Sequence, residues 1–393
     1  MLFHPKYMNP LSLATILAQL LLLVLAVHSS SSLVTSSTSK NDTRILNMSS
    51  DSEYPKIQAQ AGKIEELKQR EAALSRLLAA VRMEKLEALR SRPLNIGVVG
   101  FGRFGQFMAH TFSKHGNVVA SSRSDYTDLA KGMGIDYIPL SDIDGFLDKN
   151  LDVIVLATSI VSFEDTVRKF AGPLKNFIER TNSSRGPLIV DVLSVKEHPR
   201  QILLDLLPEQ CDILCTHPMF GPDSGKNGWH GLNFVYERTR IDTVILEASA
   251  QTIQGRDSFV EKGSGVIHSI HENSEAHIEG VDRMERFLSI WEEEGCKMVQ
   301  LSCKEHDAYA ANSQFITHLM GRILGAQGLE PTPIDTKGFD SVMKLIGSTT
   351  ADSFDLFYGL YKYNQNSMDT IIKLRNSMDD VVTRLKEMED RDL

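Results

Sequence analysis

Cysteine is scarce in this chain, and the few thiols show no pairing pattern. The 393 residues include only four cysteines, and none of them forms a C-x-x-C pair. Four thiols are too few for a disulfide framework, so we expect buried free thiols in a reducing compartment. Histidines, cysteines and carboxylates do not recur at metal-ligand spacing either, so we predict no metal site.

Basic residues are also in the minority. Lysine and arginine number 42 against 51 aspartates and glutamates, which gives a formal net charge of −9. The sequence has no basic patch interleaved with aromatic residues, so it excludes nucleic acid as a general partner. A length of 393 residues suits two domains with extensions.

A long apolar run occurs only near the N-terminus. Residues 11–27 are largely apolar, and the run is short for a membrane span and similar to the core of a secretory signal. The Ser- and Thr-rich, acid-poor tract from Ser29 to Ser39 is instead typical of an organelle transit peptide. We assign residues 1–52 to a targeting leader outside the fold and leave both interpretations open.

Residues 53–92 have the pattern of a helical extension. Apolar residues recur there at helical spacing among many charges. They are Ile64, Leu67, Leu74, Leu78 and Val81. Such an amphipathic helix either caps the core or pairs with a partner helix, and capping is the interpretation that we favour.

Strand-like and helical stretches alternate over residues 93–241. The strand-like runs are 95–99, 117–120, 152–157, 187–192, 212–215 and 233–236. This alternation predicts an α/β fold, a Rossmann-type doubly wound parallel sheet with helices on both faces.

The pattern changes in the second half of the chain. Residues 242–277 are polar without clear periodicity, and we interpret them as an inserted loop. Beyond them the strand signal mostly stops, apart from a brief strand predicted at Lys297–Leu301. Residues 278–393 are therefore predicted to form an all-helical second domain, which by fold-level analogy would cover the cofactor, bind substrate and form a homodimer.

The first strand runs directly into a glycine-rich turn. Gly100, Gly102 and Gly105 form a G-x-G-x-x-G turn between strand and helix. The first glycine permits the tight turn, the second lets the backbone approach a pyrophosphate, and the third allows helix and strand to pack closely. In this context the motif predicts dinucleotide binding on the helix that follows from Gln106, with Arg103 and Phe104 of the turn among the cofactor-binding residues.

The end of the second strand indicates which dinucleotide is bound. A fold that binds NAD usually places Asp or Glu about 20 residues beyond the first glycine, on the ribose 2′-hydroxyl. Here Ser122, Arg123 and Ser124 occupy that place. Two hydroxyls and a guanidinium suit a 2′-phosphate, so we predict NADP. The alternative is that Asp125 turns back and binds the ribose of NAD.

Three further strand ends carry polar residues. Ligands of a parallel sheet bind at the carboxyl ends of its strands, which directs attention to Thr158, Ser194 and His217. Histidine accepts protons near neutral pH, so His217 is the candidate base for oxidation of an alcohol by hydride transfer.

Two other histidines lie in the predicted helical domain. His318 shares a long helix with Gln314 and is either a ligand-binding or a packed residue. His306, beside Asp307, we interpret as part of a helix start rather than as a catalytic residue.

Taken together, these segments resemble the arogenate/prephenate dehydrogenase family in its plant form. The resemblance covers about residues 94–240 and 278–375. Its most specific parts are the His217-Pro-Met-Phe-Gly-Pro loop and the block from Asp352 to Gly359. It implies oxidative decarboxylation of a cyclohexadienyl acid with hydride transfer to NADP. The product is tyrosine from arogenate, or 4-hydroxyphenylpyruvate from prephenate.

The resemblance also implies roles for individual residues. His217 would take the hydroxyl proton, Ser194 would hydrogen-bond the same centre, and His318 with Gln314 would help to hold substrate. Asp223 can pair with the ammonium of arogenate, a contact worth about 1.5–3 kcal/mol, and would repel the anionic prephenate. We therefore expect arogenate as substrate and tyrosine as a possible product inhibitor.

Several alternatives stay open at this stage. The cation that binds the ring carboxylate is one of Lys196, Lys226, Arg322 and Lys344. A plastid location is expected by the resemblance, with a secretory or anchored protein as the alternative. The competing functions are a prephenate dehydrogenase, a non-catalytic NADP-binding protein and a dehydrogenase of small hydroxy acids.

Overall fold

A computed structural model describes residues 54–183, 185–241 and 275–391. The predicted leader and nearly all of the predicted inserted loop lie outside these ranges. The chain divides into two units, Met1–Leu74 and Ser75–Leu393. Among the described residues, the helices are too short or too polar to cross a membrane.

An eight-stranded sheet lies in the second unit. Its strands are β1 (Leu94–Val99), β2 (Gly116–Ser121), β3 (Asp136–Tyr137), β4 (Val153–Leu156), β5 (Leu188–Asp191), β6 (Asp212–Pro218), β7 (Asn233–Arg240) and β8 (Lys297–Gln300). The order across the sheet is β3-β2-β1-β4-β5-β6-β7-β8. The order reverses between β1 and β4, and this reversal is where doubly wound sheets bind their ligands.

Helices connect most of the strands and make up the rest of the described chain. They are α1 (Tyr54–Arg90), α2 (Arg103–Phe112), α3 (Thr127–Gly132), α4 (Ile143–Leu147), α5 (Phe163–Thr181), α6 (Glu197–Leu206), α7 (Glu275–Glu293), α8 (Cys303–Ala310), α9 (Ile316–Gly325), α10 (Lys337–Ala351), α11 (Phe354–Tyr363) and α12 (Ser367–Glu389). A short 3₁₀ turn at Ile160–Ser162 precedes α5, and a π-helical turn at Ala311–Phe315 joins α8 to α9. The predicted Rossmann-type sheet followed by helices is confirmed.

The sheet separates two apolar cores. Val153 and Val155 of β4 lie in one core, whereas Ile154 and Leu156 lie in the other. Alternation follows from the two-residue repeat of a strand. Because helices cover both faces, β4 is apolar at every position, which is typical of a parallel sheet.

The edge strands differ from the prediction. β7 is antiparallel to β6, and β8 then pairs in parallel with β7. The sheet therefore continues to Gln300, and the purely helical part begins at Cys303 rather than at residue 278. The two-residue strand β3 was also not predicted, because a strand of this length carries too little apolar pattern.

Helix α1 does not cap the core over the part that belongs to the second unit. Leu77, Leu78, Val81 and Met83 are 45–62% exposed. Salt bridges to α7 hold its last turns, with Lys85 3.0 Å from Glu285 and Arg90 2.5 Å from Glu293. The prediction of a core cap is therefore wrong for this stretch. In the first unit, Ile64, Leu67 and Leu74 are also 51–55% exposed.

The four cysteines are free thiols in this structure. Cys211, Cys215 and Cys303 are buried, and Cys296 is half-buried. Burial raises the pKa of the Cys211 thiol to about 12, so this side chain behaves as a packed apolar group.

Candidate active site

A cavity of about 840 Å³ lies at the carboxyl ends of the strands. The glycine-rich turn, the ends of β4, β5 and β6, and helices of the C-terminal part line it. The predicted site residues that line it are Gly102, Arg103, Phe104, Gly105, Thr158, Ser194, His217, Asp223, Gln314 and His318. The fold therefore brings most of the predicted cofactor and substrate residues to one space.

Other predicted residues do not line this cavity. Ser122, Arg123 and Ser124 directly follow β2, and the side chains of Arg123 and Ser124 are exposed. Gly100 lies beneath the turn, against the backbone of Ala157. Lys226 is exposed and follows the His217-Pro-Met-Phe-Gly-Pro loop in the sequence.

The three glycines of the turn have different surroundings. Gly100 has a φ of +97°, and a Cβ there would lie 2.5 Å from the carbonyl oxygen of Ala157. A Cβ on Gly105 would lie 1.9 Å from the carbonyl oxygen of Gly100. A Cβ on Gly102 would meet no protein atom within 4 Å. Gly102 therefore borders open space at a helix N-terminus, which fits the pyrophosphate of a dinucleotide.

Alanine at Gly102 and at Gly105 should have opposite consequences. Gly102→Ala is expected to fold as the wild type does but to weaken binding of a nicotinamide dinucleotide by about tenfold or more, or about 1.4 kcal/mol, since its methyl would occupy the pyrophosphate position. Gly105→Ala is expected to destabilise the fold by about 1–3 kcal/mol or more through overpacking. Thermal denaturation and fluorescence titration with NAD and with NADP measure the two effects. Wild-type affinity of Gly102→Ala for both dinucleotides would contradict the assignment.

The turn after β2 engages its acidic residue locally. Asp125 Oδ1 accepts hydrogen bonds from the backbone N–H of Thr127 at 2.9 Å and from its hydroxyl at 2.6 Å. These bonds lower the pKa of Asp125. One oxygen of this carboxylate is thus committed to the start of α3, while Arg123 beside it is exposed.

His217 lies near the end of β6 and is 3% exposed. Its Nδ1 is 2.8 Å from Nε2 of His306, and Nδ1 of His306 is 2.8 Å from Oδ1 of Asp307. Burial, followed by the nearby His306 and Lys196, holds the pKa of His217 well below its usual range. The imidazole is therefore neutral at physiological pH, as a proton acceptor must be.

His306 was wrongly interpreted as part of a helix start. Helix α8 has its own capping box, in which the Ser302 hydroxyl accepts from Glu305 N–H and the Glu305 carboxylate accepts from Ser302 N–H. His306 instead contacts the candidate base from a different element. The adjacent His-Asp pair was visible in the sequence, but its nearness to His217 depends on the packing of α8 against the sheet.

Lys196 is not the cation for the ring carboxylate. Its side chain is 2% exposed, and its ammonium forms an ion pair with Asp191 and donates to the carbonyl oxygen of Thr216 at 2.5 Å. It does not line the cavity. Lys196 therefore ties the end of β5 to the strand that carries His217.

The three other candidate cations, Lys226, Arg322 and Lys344, do not line the cavity either. Lys226 and Lys344 are exposed. Arg322 donates to the carbonyl oxygens of Asp352 and Ser353 at 2.8 and 3.2 Å. Among the described residues that line the cavity, Arg103 is the one arginine or lysine.

Asp223 pairs with Arg103 across the cavity. Arg103 Nη2 lies 3.2 Å from Asp223 Oδ1, and both side chains are exposed, by 69% and 84%. Exposed ion pairs of this kind contribute about 0–1 kcal/mol. A ligand that competes for either partner can therefore separate them at little cost.

Three polar side-chain atoms of residues that line the cavity, two from the helical part and one from the end of β4, have no hydrogen-bond partner in the protein. Gln314 Oε1, His318 Nδ1 and Thr158 Oγ1 are buried without a hydrogen bond, and all three residues line the cavity. Gln314 belongs to the π-helical turn, a feature that often marks functional sites. Burying such atoms unsatisfied costs about 1–3 kcal/mol each, so a polar ligand is the natural partner for them.

The fold and this cavity define a class. A glycine-rich turn at the switch point of a doubly wound sheet, a buried histidine on a nearby strand and a helical segment over both are the features of Rossmann-type nicotinamide-dependent dehydrogenases.

Comparison with known proteins gives the family, because the chain is 41% identical over 302 residues to arogenate dehydrogenase 2, chloroplastic, of Arabidopsis thaliana. The match covers 77% of this chain and 72% of that protein. The chain belongs to the arogenate dehydrogenase family.

The chain is also similar to a second plant protein, to a C-terminal domain family and to a solved structure. Arogenate dehydrogenase 1, chloroplastic, of the same plant is 44% identical over 293 residues, which cover 74% of this chain and 39% of that longer protein. Residues 323–393 match the family described as TYRAAT1-like, C-terminal domain. The crystal structure of Aquifex aeolicus prephenate dehydrogenase, in complex with hydroxyphenyl propionate and NAD+, has the same fold. It has a TM-score of 0.51 and 15% identity, and the match covers 76% of this chain and 93% of that one.

Proposed function

We propose that this protein is an NADP-dependent arogenate dehydrogenase, which converts L-arogenate to L-tyrosine by oxidative decarboxylation. The observation that carries the proposal is the buried His217 in the cavity that the glycine-rich turn also lines. The names of the two plant relatives support it. A prephenate dehydrogenase is the runner-up.

The chain supplies the base and the positioning groups for this reaction. His217 takes the proton of the ring hydroxyl, and Ser194, in the same cavity, hydrogen-bonds that oxygen. The glycine-rich turn would hold the pyrophosphate of the dinucleotide, whose nicotinamide would supply the acceptor for the hydride on the carbon that carries the hydroxyl. Carbon dioxide leaves from the opposite ring carbon, the electron pair of the broken bond completes the aromatic ring, and the phenolate oxygen takes the proton back from His217. Gln314 and His318 offer unpartnered polar atoms to the rest of the substrate.

The choice of NADP rests on the turn after β2. An exposed guanidinium on Arg123, with hydroxyls on either side, suits the 2′-phosphate. Asp125 is the residue that would favour NAD, but one of its oxygens is already bonded to Thr127.

Asp223 is proposed to bind the ammonium group of arogenate through its carboxylate. It lines the cavity, and its weak, exposed pair with Arg103 can give way to another cation. Arg103 is the first residue of α2, where the cofactor phosphates are proposed to bind. Phosphates that attract Arg103 would leave the carboxylate of Asp223 available to arogenate.

Asp223→Asn is expected to shift the ratio of kcat/KM for arogenate over prephenate towards prephenate by about 10- to 150-fold, the equivalent of 1.5–3 kcal/mol. Steady-state reduction of NADP and of NAD, with each substrate offered separately, measures this ratio and the cofactor preference together. Asp205→Asn, an exposed carboxylate on α6, is the matched control. An unchanged ratio removes Asp223 as the selector, and wild-type turnover of prephenate alone would overturn the choice of arogenate.

The same proposal extends to location, assembly and regulation. A plastid location follows from the relatives' names and from the Ser- and Thr-rich tract near the N-terminus. Exposed apolar side chains on α12, with Ile372, Val381 and Leu385 at 50–63% exposure, support a homodimer through the helical part. Tyrosine, which keeps the ammonium read by Asp223, is the proposed feedback inhibitor.

A further inference from the structure

Three side chains form a buried chain of hydrogen bonds that ends at the proposed base. Asp307, His306 and His217 are 0%, 3% and 3% exposed. The two links between them are both 2.8 Å long. Together they connect helix α8 to the end of strand β6.

The direction of these bonds follows from Asp307. A carboxylate only accepts hydrogen bonds, so Nδ1 of His306 carries a proton and donates to it. With that proton on Nδ1, Nε2 of the His306 imidazole is the acceptor, so Nδ1 of His217 is the donor in the second bond. The remaining nitrogen of His217, Nε2, therefore keeps its lone pair.

Asp307 is itself held in place from several elements. Its two oxygens accept the backbone N–H groups of Lys196 and Glu197 at 2.8 and 2.9 Å. Its carbonyl oxygen accepts from the side-chain amide of Asn364 at 2.8 Å. The carboxylate of Asp307 thus lies at the first turn of α6, where a negative charge is favoured.

We propose that His306 and Asp307 are positioning residues, which fix the tautomer and orientation of His217 so that its Nε2 can take the hydroxyl proton of the substrate. When His217 becomes an imidazolium, its Nδ1–H still donates to His306, and the charge of Asp307 stabilises it through that bond. The orienting carboxylate of a serine protease acts on its histidine in the same physical way, there by direct contact. This inference rests on the proposed role of His217 as the base.

A structural role alone accounts poorly for this arrangement. Helix α8 is already capped by Ser302 and Glu305. Burying a polar pair costs free energy that well-packed apolar residues of similar volume would not cost. A role in positioning His217 would explain why polar residues are found here. Asp307 does cap α6, so the test must separate His306 from that contribution.

The test compares His306→Leu with His306→Gln in the full chain. His306→Leu removes the acceptor for His217 Nδ1–H and is expected to lower kcat for arogenate by about 10²-fold or more, with little change in KM or in the Kd for NADP. His306→Gln offers an amide oxygen to the same N–H and should recover at least a tenth of the wild-type kcat. Tyr309→Leu, on the same helix and 64% exposed, is the control and should behave as the wild type.

A second readout does not depend on turnover. In ¹⁵N-histidine NMR spectra of the wild type, His217 is expected to carry its proton on Nδ1, with a lone-pair signal for Nε2. In His306→Leu the proton should distribute over both nitrogens. A wild-type proton on Nε2 of His217, or wild-type kcat in a folded His306→Leu, would overturn the proposal. If arogenate is not turned over but the wild-type spectrum is as expected, the proposed function fails while the tautomer assignment stands.

Discussion

His217→Asn is expected to lower kcat for arogenate by about 10²- to 10⁴-fold, the usual contribution of a general base. Asparagine cannot accept the hydroxyl proton at neutral pH, yet its amide can still hydrogen-bond His306. The fold and the glycine-rich turn should therefore persist, and the Kd for NADP should stay near that of the wild type. Single-turnover and steady-state kinetics, together with NADP titration, separate the two quantities.

The pH profile of the wild type provides an independent check on the same residue. A base accepts a proton only in its neutral form, so activity is lost as the pH falls through the pKa of His217. Burial, His306 and Lys196 lower that pKa, so kcat/KM should stay level to below pH 6.5, the ordinary pKa of histidine, before it falls on the acid side. His110→Asn, an exposed histidine on α2, is the control. An active His217→Asn with an unchanged acid limb would remove His217 as the base.

Lys196→Met is expected to lower the free energy of unfolding by about 3–5 kcal/mol. The substitution leaves the carboxylate of Asp191 buried without its ammonium and removes a donor from the carbonyl oxygen of Thr216. A lone buried charge has no water to replace its partner, which is why the cost is large. Guanidinium denaturation, followed by circular dichroism, measures the change.

Two further variants test this explanation. Lys149→Met breaks an exposed pair with Asp136, 3.3 Å apart, and should cost about 0–1 kcal/mol. Replacing both Lys196 and Asp191 with apolar residues should recover much of the lost stability, since no uncompensated charge then stays buried. Equal losses for Lys196→Met and Lys149→Met would contradict the buried ion pair as the source of stability.

The sequence was sufficient to predict most strands of the sheet and the glycine-rich turn. Strands β1, β2, β4, β5, β6 and β7 each overlap a predicted run. Fully buried strands are continuous apolar runs, and a turn that demands glycine at fixed spacing is a local constraint. Edge strand β8 also overlaps a predicted strand, Lys297–Leu301, but its pairing with β7 in the same sheet was not predicted.

The surroundings of the charged residues were less predictable. Lys196 was a candidate for the ring carboxylate, but it lies buried against Asp191. Asp223 was assigned to the substrate ammonium and is found opposite Arg103. Partners more than 100 residues apart, such as Arg103 and Asp223, are chosen by the packing of whole elements, and local sequence patterns carry no information on that choice.

The sequence alone determined the class of fold, the glycine-rich turn and His217 as the candidate base, because each depends on short-range periodicity or on residue types at fixed spacing. Only the tertiary structure showed that His306 contacts His217 and that Asp307 contacts His306, because the first of these contacts joins strand β6 to helix α8 across 89 positions of sequence. Hydrogen-bond partners at such separations depend on how helices dock on the sheet. The docking is a collective result of apolar burial. The local sequence around the residues that it brings together therefore does not indicate which polar partners they will contact.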